Sequence, residues 1–128
     1  MKKGIKDLLA EANDRVKAYT VDEARGLLDD DGVVFIDVRD EAELRETGKV
    51  PGAVHASRGM LEFYVDEGSP YHMDVFDGEK ELVFYCKSGG RSALAAQRAQ
   101  EMGVERVASM TGGMLAWKEA GGPVESGQ

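Results

Sequence analysis

The stretch Val83-Phe84-Tyr85-Cys86-Lys87-Ser88-Gly89-Gly90-Arg91-Ser92-Ala93-Leu94 decides how this chain is read. An apolar run stops at the only cysteine, a short loop with paired glycines follows, and a helix-forming segment begins near Ser92 and runs to about Met102. As strand, loop and helix, these residues place the sulfur of Cys86 at the carboxyl end of a buried strand. Backbone N–H groups of the loop and the helix N-terminus then face it, and such groups favour negative charge. A thiol held there loses its proton readily, and the thiolate is the reactive form. Cys86 is the candidate nucleophile.

Between Cys86 and Arg91 stand Lys87, Ser88, Gly89 and Gly90. Glycines let main-chain amides curl inward with no Cβ in the way, so the loop can ring an anion with donors. Lys87 and Arg91 add positive charge, and a guanidinium stays protonated at working pH. Both are expected to depress the thiol pKa and attract an anionic substrate. The competing reading is an inert core cysteine beside a helix cap; the glycines, the two cations and the strand-to-helix position argue against it.

Working outward, Val33-Val34-Phe35-Ile36-Asp37-Val38 is a β-branched run suited to a strand buried on both faces. Asp37 and Arg39 close it, and a short helix is expected over residues 41–46. The turn Gly48-Lys49-Val50-Pro51-Gly52 leads to a brief strand over 53–56 and a helix over 58–65. Residues 66–80 read as a loop, whose aromatic part from Tyr71 to Phe76 either tucks onto the core or covers the reactive loop. After the Cys86 helix, Gly103 is a C-cap, residues 104–110 form a strand, and Thr111-Gly112-Gly113 opens a last helix carrying Trp117. Towards the N-terminus, Thr20 and Glu23 have the spacing of a capping box. Before them Ile5, Leu8, Leu9, Ala12 and Val16 recur at helical period. Residues 1–17 are expected to form an amphipathic helix packed on a domain spanning 18–124, with 125–128 as a frayed tail.

Strands alternating with helices imply an α/β fold with a parallel sheet covered on both faces. Ligands of such sheets gather beyond the carboxyl ends of the strands, where Cys86, Asp37 with Arg39, and Thr111 all stand. The length of 128 residues suits one domain. The formal charge of −8 argues against nucleic acid and anionic membrane. No apolar run approaches the roughly 18 residues of a membrane span, and no signal peptide is expected, because Met1-Lys2-Lys3 lacks an apolar stretch behind it. A lone cysteine makes no internal disulfide, which fits a reducing cytoplasm. Cys86 with His55 and His72 has no zinc-ligand spacing, so no metal is expected. His55 is expected to have no catalytic role, and His72 to be solvent-exposed.

Cys86-Lys87-Ser88-Gly89-Gly90-Arg91-Ser92 resembles the active-site loop of the rhodanese family, Cys-x-x-Gly-x-Arg followed by Ser or Ala. Asp37-Val38-Arg39, Glu43 and Gly48-Lys49-Val50-Pro51-Gly52-Ala53 resemble that family's upstream signature, although Lys49 stands where histidine is frequent. Thr111-Gly112-Gly113 with Trp117 resembles its C-terminal motif. The resemblance implies a rhodanese-like three-layer sandwich, a central, mainly parallel sheet of about five strands with helices on both faces. It also implies a sulfurtransferase needing no cofactor. Cys86 would take a sulfane sulfur from a small anionic donor such as thiosulfate, forming a persulfide, and pass it to cyanide, a thiol or a protein. Lys87, Ser88, Gly89, Gly90, Arg91 and Ser92 would bind the substrate, with Asp37 and Arg39 supporting the loop. A monomer or weak dimer is expected. A sulfur-carrier module with little small-molecule turnover is the first alternative. A cysteine-dependent phosphatase or arsenate reductase is the second, disfavoured because their loops hold one residue more.

Overall fold

The computed structural model describes residues 2–128. Five strands, β1 (Lys17–Tyr19), β2 (Val33–Asp37), β3 (Val54–His55), β4 (Glu81–Tyr85) and β5 (Val107–Met110), form one sheet in the order β1-β5-β4-β2-β3, every pair parallel. The helices are α1 (Ile5–Arg15), α2 (Val21–Arg25), α3 (Glu41–Thr47), α4 (Leu61–Val65), α5 (Gly90–Glu101) and α6 (Gly113–Glu119). β4 is central and all five of its residues are buried; the apolar run Leu82–Tyr85 predicts this, and the leading Glu81 accepts a hydrogen bond from the Tyr19 hydroxyl at 2.7 Å.

The period-two geometry of β4 divides its side chains between two cores. Leu82, Phe84 and Cys86 join Ile36, Val16, Leu61 and the alanines Ala95, Ala96 and Ala99, which lets α5 lie close on that face. Val83 and Tyr85 join Phe35, Ala24, Met114 and Trp117 beneath α2 and α6. Trp117 meets Phe35 edge-on at 6.0 Å between ring centroids, and its indole N–H donates to the Pro123 carbonyl at 2.7 Å. The chain leaves β2 for β3 on one side of the sheet, and the later strands β4 and β5 lie on the other. The crevice between β2 and β4 is therefore the switch point where such sheets bind ligands. Asp37 ends one strand there and Cys86 follows the other.

Several expectations need correction. β1 is a strand the sequence pattern does not announce, and it straddles the boundary expected at residue 17/18. Three residues carry too little pattern to mark a strand, and pairing with Ala108, Ser109 and Met110 of β5 holds it in place. Of the N-terminal segment, Met1 lies outside the described residues. α1 buries Ala12, with Val16 following, but leaves Ile5 60% and Leu8 38% exposed, so only the later part of its apolar stripe packs inward. The helix after the reactive loop starts at Gly90, two residues early, and β5 starts at Val107. The tail is not frayed at Glu125, which bridges Lys49 in antiparallel fashion and accepts from the Gly52 N–H at 2.6 Å. Residues 71–76 form no lid. Phe76 is buried against Phe84, beside the residues that lead into β4 and β5 and so at the opposite edge from Cys86; Tyr71 is exposed against Phe63.

The start of α6 braces the reactive loop from behind. The N–H groups of Met114 and Leu115 donate to the carbonyls of Cys86 and Lys87 at 2.8 and 3.0 Å. Gly113 makes that approach possible. Its φ is +58°, and a Cβ there would lie 2.5 Å from the Cys86 oxygen. Gly121, with φ +77° and no atom within 4 Å of where a Cβ would stand, isolates the conformational cost alone. Gly121→Ala should cost about 1–2 kcal/mol and Gly113→Ala distinctly more, measured by urea unfolding. Equal costs would show that the close contact is not tight in solution.

Candidate active site

Cys86 is only 1% exposed, which makes the source of its hydrogen bonds the decisive question. The Gly89 N–H donates to Sγ at 3.1 Å, and the Ser92 hydroxyl lies 3.6 Å from the sulfur. Gly89 can turn the loop this way because its φ of +111° suits glycine, and an added Cβ would meet the Gly112 nitrogen at 3.3 Å. Burial pushes the thiol pKa up. The Ser92 N–H and hydroxyl, with the N–H groups of Gly89 and Ser88, pull it down by more, and the balance lies below the ordinary thiol value. The Ser92 hydroxyl also donates to the Gly89 carbonyl at 3.1 Å and stands 2.9 Å from the hydroxyl of Ser109 on β5.

Charge alone makes Arg91 a chief cause of thiol acidity, and here the geometry differs. Its guanidinium is turned onto Glu43 of α3, with contacts of 2.7 and 3.0 Å. The Glu43 hydrogen bond is the leading influence on Arg91, and the charge on Cys86 is a lesser one. The guanidinium is thus paired with a carboxylate, not turned onto the sulfur. Lys87 is exposed and borders a shallow groove with Leu115, Glu43 and Lys118. Ser88 is exposed, while Gly89 and Gly90 are partly covered.

Asp37 and Arg39 meet each other. The Arg39 Nη2 donates to Asp37 Oδ2 at 2.8 Å and Nε to Oδ1 at 3.0 Å, and both side chains are buried. Arg39 also donates to the Thr47 hydroxyl and the Gly48 carbonyl, which ties the turn after α3 to the end of β2. Tyr85 completes this layer by accepting from the Val50 N–H at 3.1 Å. None of these groups lies on the sulfur; they hold the crevice wall in which α3 presents Glu43. His55 Nε2 contacts the Arg39 carbonyl at 2.6 Å. His72 is not solvent-exposed as expected. Its side chain is 13% exposed and paired with Asp77 at 2.5 Å, because the segment before β4 folds back onto the core. His72, Asp74 and Asp77 each bring one ligand atom within 4.8 Å of the others.

Sequence reasoning missed Ser109 and the partnership of Glu43 with Arg91. The first had a visible signal, a lone hydroxyl inside the apolar run Val107-Ala108-Ser109-Met110. For the second, Glu43 stands out in the upstream signature, but nothing ties it to Arg91, 48 positions away.

Arg91 holds the Glu43 carboxyl well below its usual 4.5, at about 2. A depressed folded-state pKa contributes stability that is full above pH 4.5 and fades as pH falls towards 2. The unfolding free-energy difference between the protein and Glu43→Gln should therefore be constant from pH 7 to 5, then shrink on acidification. A difference that does not change with pH would show that the pair contributes nothing in solution.

The chain matches the Rhodanese-like domain family over residues 20–120. A protein of Allochromatium vinosum named Sulfurtransferase is 30% identical over 98 residues, covering 77% of this chain and 83% of its own length. Among solved structures, the Polysulfide-sulfur Transferase Homodimer of Wolinella succinogenes superposes with a TM-score of 0.75 at 31% identity, covering 94% of this chain and 86% of that one. RPA3614 of Rhodopseudomonas palustris, a protein of unknown function described as a possible tyrosine phosphatase, superposes with a TM-score of 0.94 at 46% identity, covering 98% and 96%. The α/β architecture with its five parallel strands is the one these neighbours share. With the family matched from the capping box at Thr20 to the end of α6, this chain belongs to the rhodanese-like domain family.

Proposed function

We propose that the protein is a sulfurtransferase that carries a sulfane sulfur on Cys86 as a persulfide. The observation that carries this reading is the Gly89 N–H directed at Cys86 Sγ from 3.1 Å, inside a loop only four residues long between Cys86 and Arg91. In the first step the thiolate attacks the outer sulfur of a donor such as thiosulfate. The sulfur–sulfur bond of the donor breaks, and sulfite leaves with the electron pair. In the second step a nucleophile, cyanide, a thiol or a protein thiol, attacks the terminal sulfur of the persulfide. The Cys86–sulfur bond breaks and the thiolate is restored, so the electrons balance with no external oxidant. This is covalent catalysis in two half-reactions, and ping-pong kinetics are expected. Loop amides suited to the thiolate are suited to the persulfide anion, and Lys87 and Ser88 are both exposed, open to an anionic donor.

The burial of Cys86 supports a second reading within the same chemistry. A cysteine that is 1% exposed keeps its persulfide from adventitious thiols, as a carrier requires, and slows exchange with small anions. The phosphatase reading is favoured by the description of RPA3614 alone. Against it, Arg91 is committed to Glu43 instead of pointing into the loop as an oxyanion ligand, and the loop is one residue shorter than that chemistry uses.

Incubation with thiosulfate should add one sulfur to the peptide holding Cys86, detected by mass spectrometry, and Cys86→Ser should add none while keeping the fold. Sulfur retained by the serine variant would remove Cys86 from the mechanism. Steady-state transfer from thiosulfate to cyanide separates the two readings. Persulfide that forms once and turns over very slowly marks a carrier, and release of phosphate from an aryl phosphate would sink both.

A further inference from the structure

Ser109 is buried on β5 at a position paired with Phe84 of β4, two residues before Cys86. It has no place in the motifs of the reactive loop. Among the described residues, its hydroxyl has one hydrogen-bond partner, the hydroxyl of Ser92 at 2.9 Å. Ser92 in turn has a single proton and three neighbours: the Gly89 carbonyl at 3.1 Å, Ser109 at 2.9 Å and Cys86 Sγ at 3.6 Å.

Counting protons fixes how these groups work together. A carbonyl oxygen only accepts, and a thiolate only accepts; a hydroxyl gives one proton and receives through its lone pairs. While Cys86 is a thiol, its S–H can point to Ser92 Oγ, and the Ser92 proton serves the Gly89 carbonyl. Once the thiol proton has left for solvent, the sulfur needs donors, and the Ser92 proton must turn to it. Ser92 Oγ has then lost the S–H that it accepted, and the Ser109 hydroxyl is the donor left to fill that lone pair. Hydroxyl chains of this kind polarise one another, so a hydroxyl that accepts is a better donor.

We infer that Ser109 is a positioning residue for the chemistry at Cys86, donating its proton to Ser92 so that the Ser92 proton is turned onto the sulfur anion. The inference rests on the reading of Cys86 as a working thiolate, and it adds a buried residue from a neighbouring strand to that site. The charged groups on the elements that surround the loop are Arg91 from α5 with Glu43 from α3, Asp40 just before α3, Lys87 of the loop, Asp37 at the end of β2 with Arg39 just after it, and Lys118 on α6 beside Lys87. Replacing Ser109 touches none of their contacts.

The test uses the ultraviolet absorbance of the thiolate against pH in the full chain, taken as a difference from Cys86→Ala so that tyrosine ionisation cancels. Cys86 is the only cysteine, so the signal has one source. Ser92→Ala and Ser109→Ala should each raise the midpoint. For Ser109→Ala the thiolate fraction below the midpoint should fall about threefold or more, equivalent to roughly half a pKa unit. In the Ser92→Ala background, Ser109→Ala should change nothing further, because its effect passes through Ser92. A folded Ser109→Ala protein with an unmoved midpoint would overturn the inference, as would an equal shift with Ser92 already removed. Should the alanine variant not fold, Ser109→Thr and Ser109→Val supply a pair of one shape with and without the hydroxyl. Threonine should keep the midpoint below that of valine, and identical midpoints would overturn the inference. Sulfur transfer is not part of this readout, so a Cys86 that titrates as described but takes up no sulfur would fail the proposed function alone.

Discussion

A cysteine that is 1% exposed and yet held below the ordinary thiol pKa must be given its hydrogen bonds by the protein. That constraint organises the molecule. An ionised group removed from water carries a penalty of several kcal/mol, and each charge-assisted hydrogen bond returns about 1.5–3. One donor does not balance burial; three amides and a hydroxyl can. Long side chains could not converge on a single sulfur at such short range, whereas consecutive amides of a glycine-bearing loop can. The left-handed turn at Gly89, the start of α5 at Gly90 and the brace from α6 behind the loop all serve that convergence.

The ion pairs around the loop perform a different task. Asp37 and Arg39 are both out of water, and a buried pair is at best near break-even against apolar packing. Its use here is positional, because Arg39 reaches Thr47 and Gly48 and fixes where α3 ends relative to β2. α3 then holds Glu43 against Arg91. The guanidinium that would otherwise pull strongly on the sulfur and on every passing anion is thereby tempered, and acidity is left to the shorter-ranged amides. A site arranged in this way discriminates by contact more than by long-range attraction, in keeping with a chain whose net charge of −8 repels anions.

The strands β2 and β4 are legible in the sequence because both are continuous apolar runs buried on two faces, and the reactive loop is legible because a cysteine, glycines and an arginine fall together within six positions. β1 is not, since Lys17–Tyr19 is too short for a period and is held by its partner, not by its own composition. Glu125 reads as part of a free tail because nothing local marks it, and its bridge is to Lys49, far away in the sequence. The direction of Arg91 is hidden for a related reason. Charge is visible in sequence, but which neighbour consumes it depends on the packing of α3. Ser109 escapes notice because a small polar residue in a strand interior looks like tolerance until its hydroxyl is seen beside that of Ser92.

The 46% identity to RPA3614 poses the sharpest question about loop size. A tetrahedral oxyanion presents three oxygens, and a loop that binds it must be wide enough for amides to reach each one, with an arginine closing the far side. Here the Gly89 N–H is directed at the sulfur itself from 3.1 Å, in a loop with only four residues between Cys86 and Arg91. Arg91 is paired with Glu43 at 2.7 and 3.0 Å. Conversion to phosphate-ester chemistry would require both a wider loop and a released arginine, two changes in separate elements. A single added sulfur asks for neither, since it extends the chain of Cys86 by one atom and keeps one negative charge within reach of the same donors.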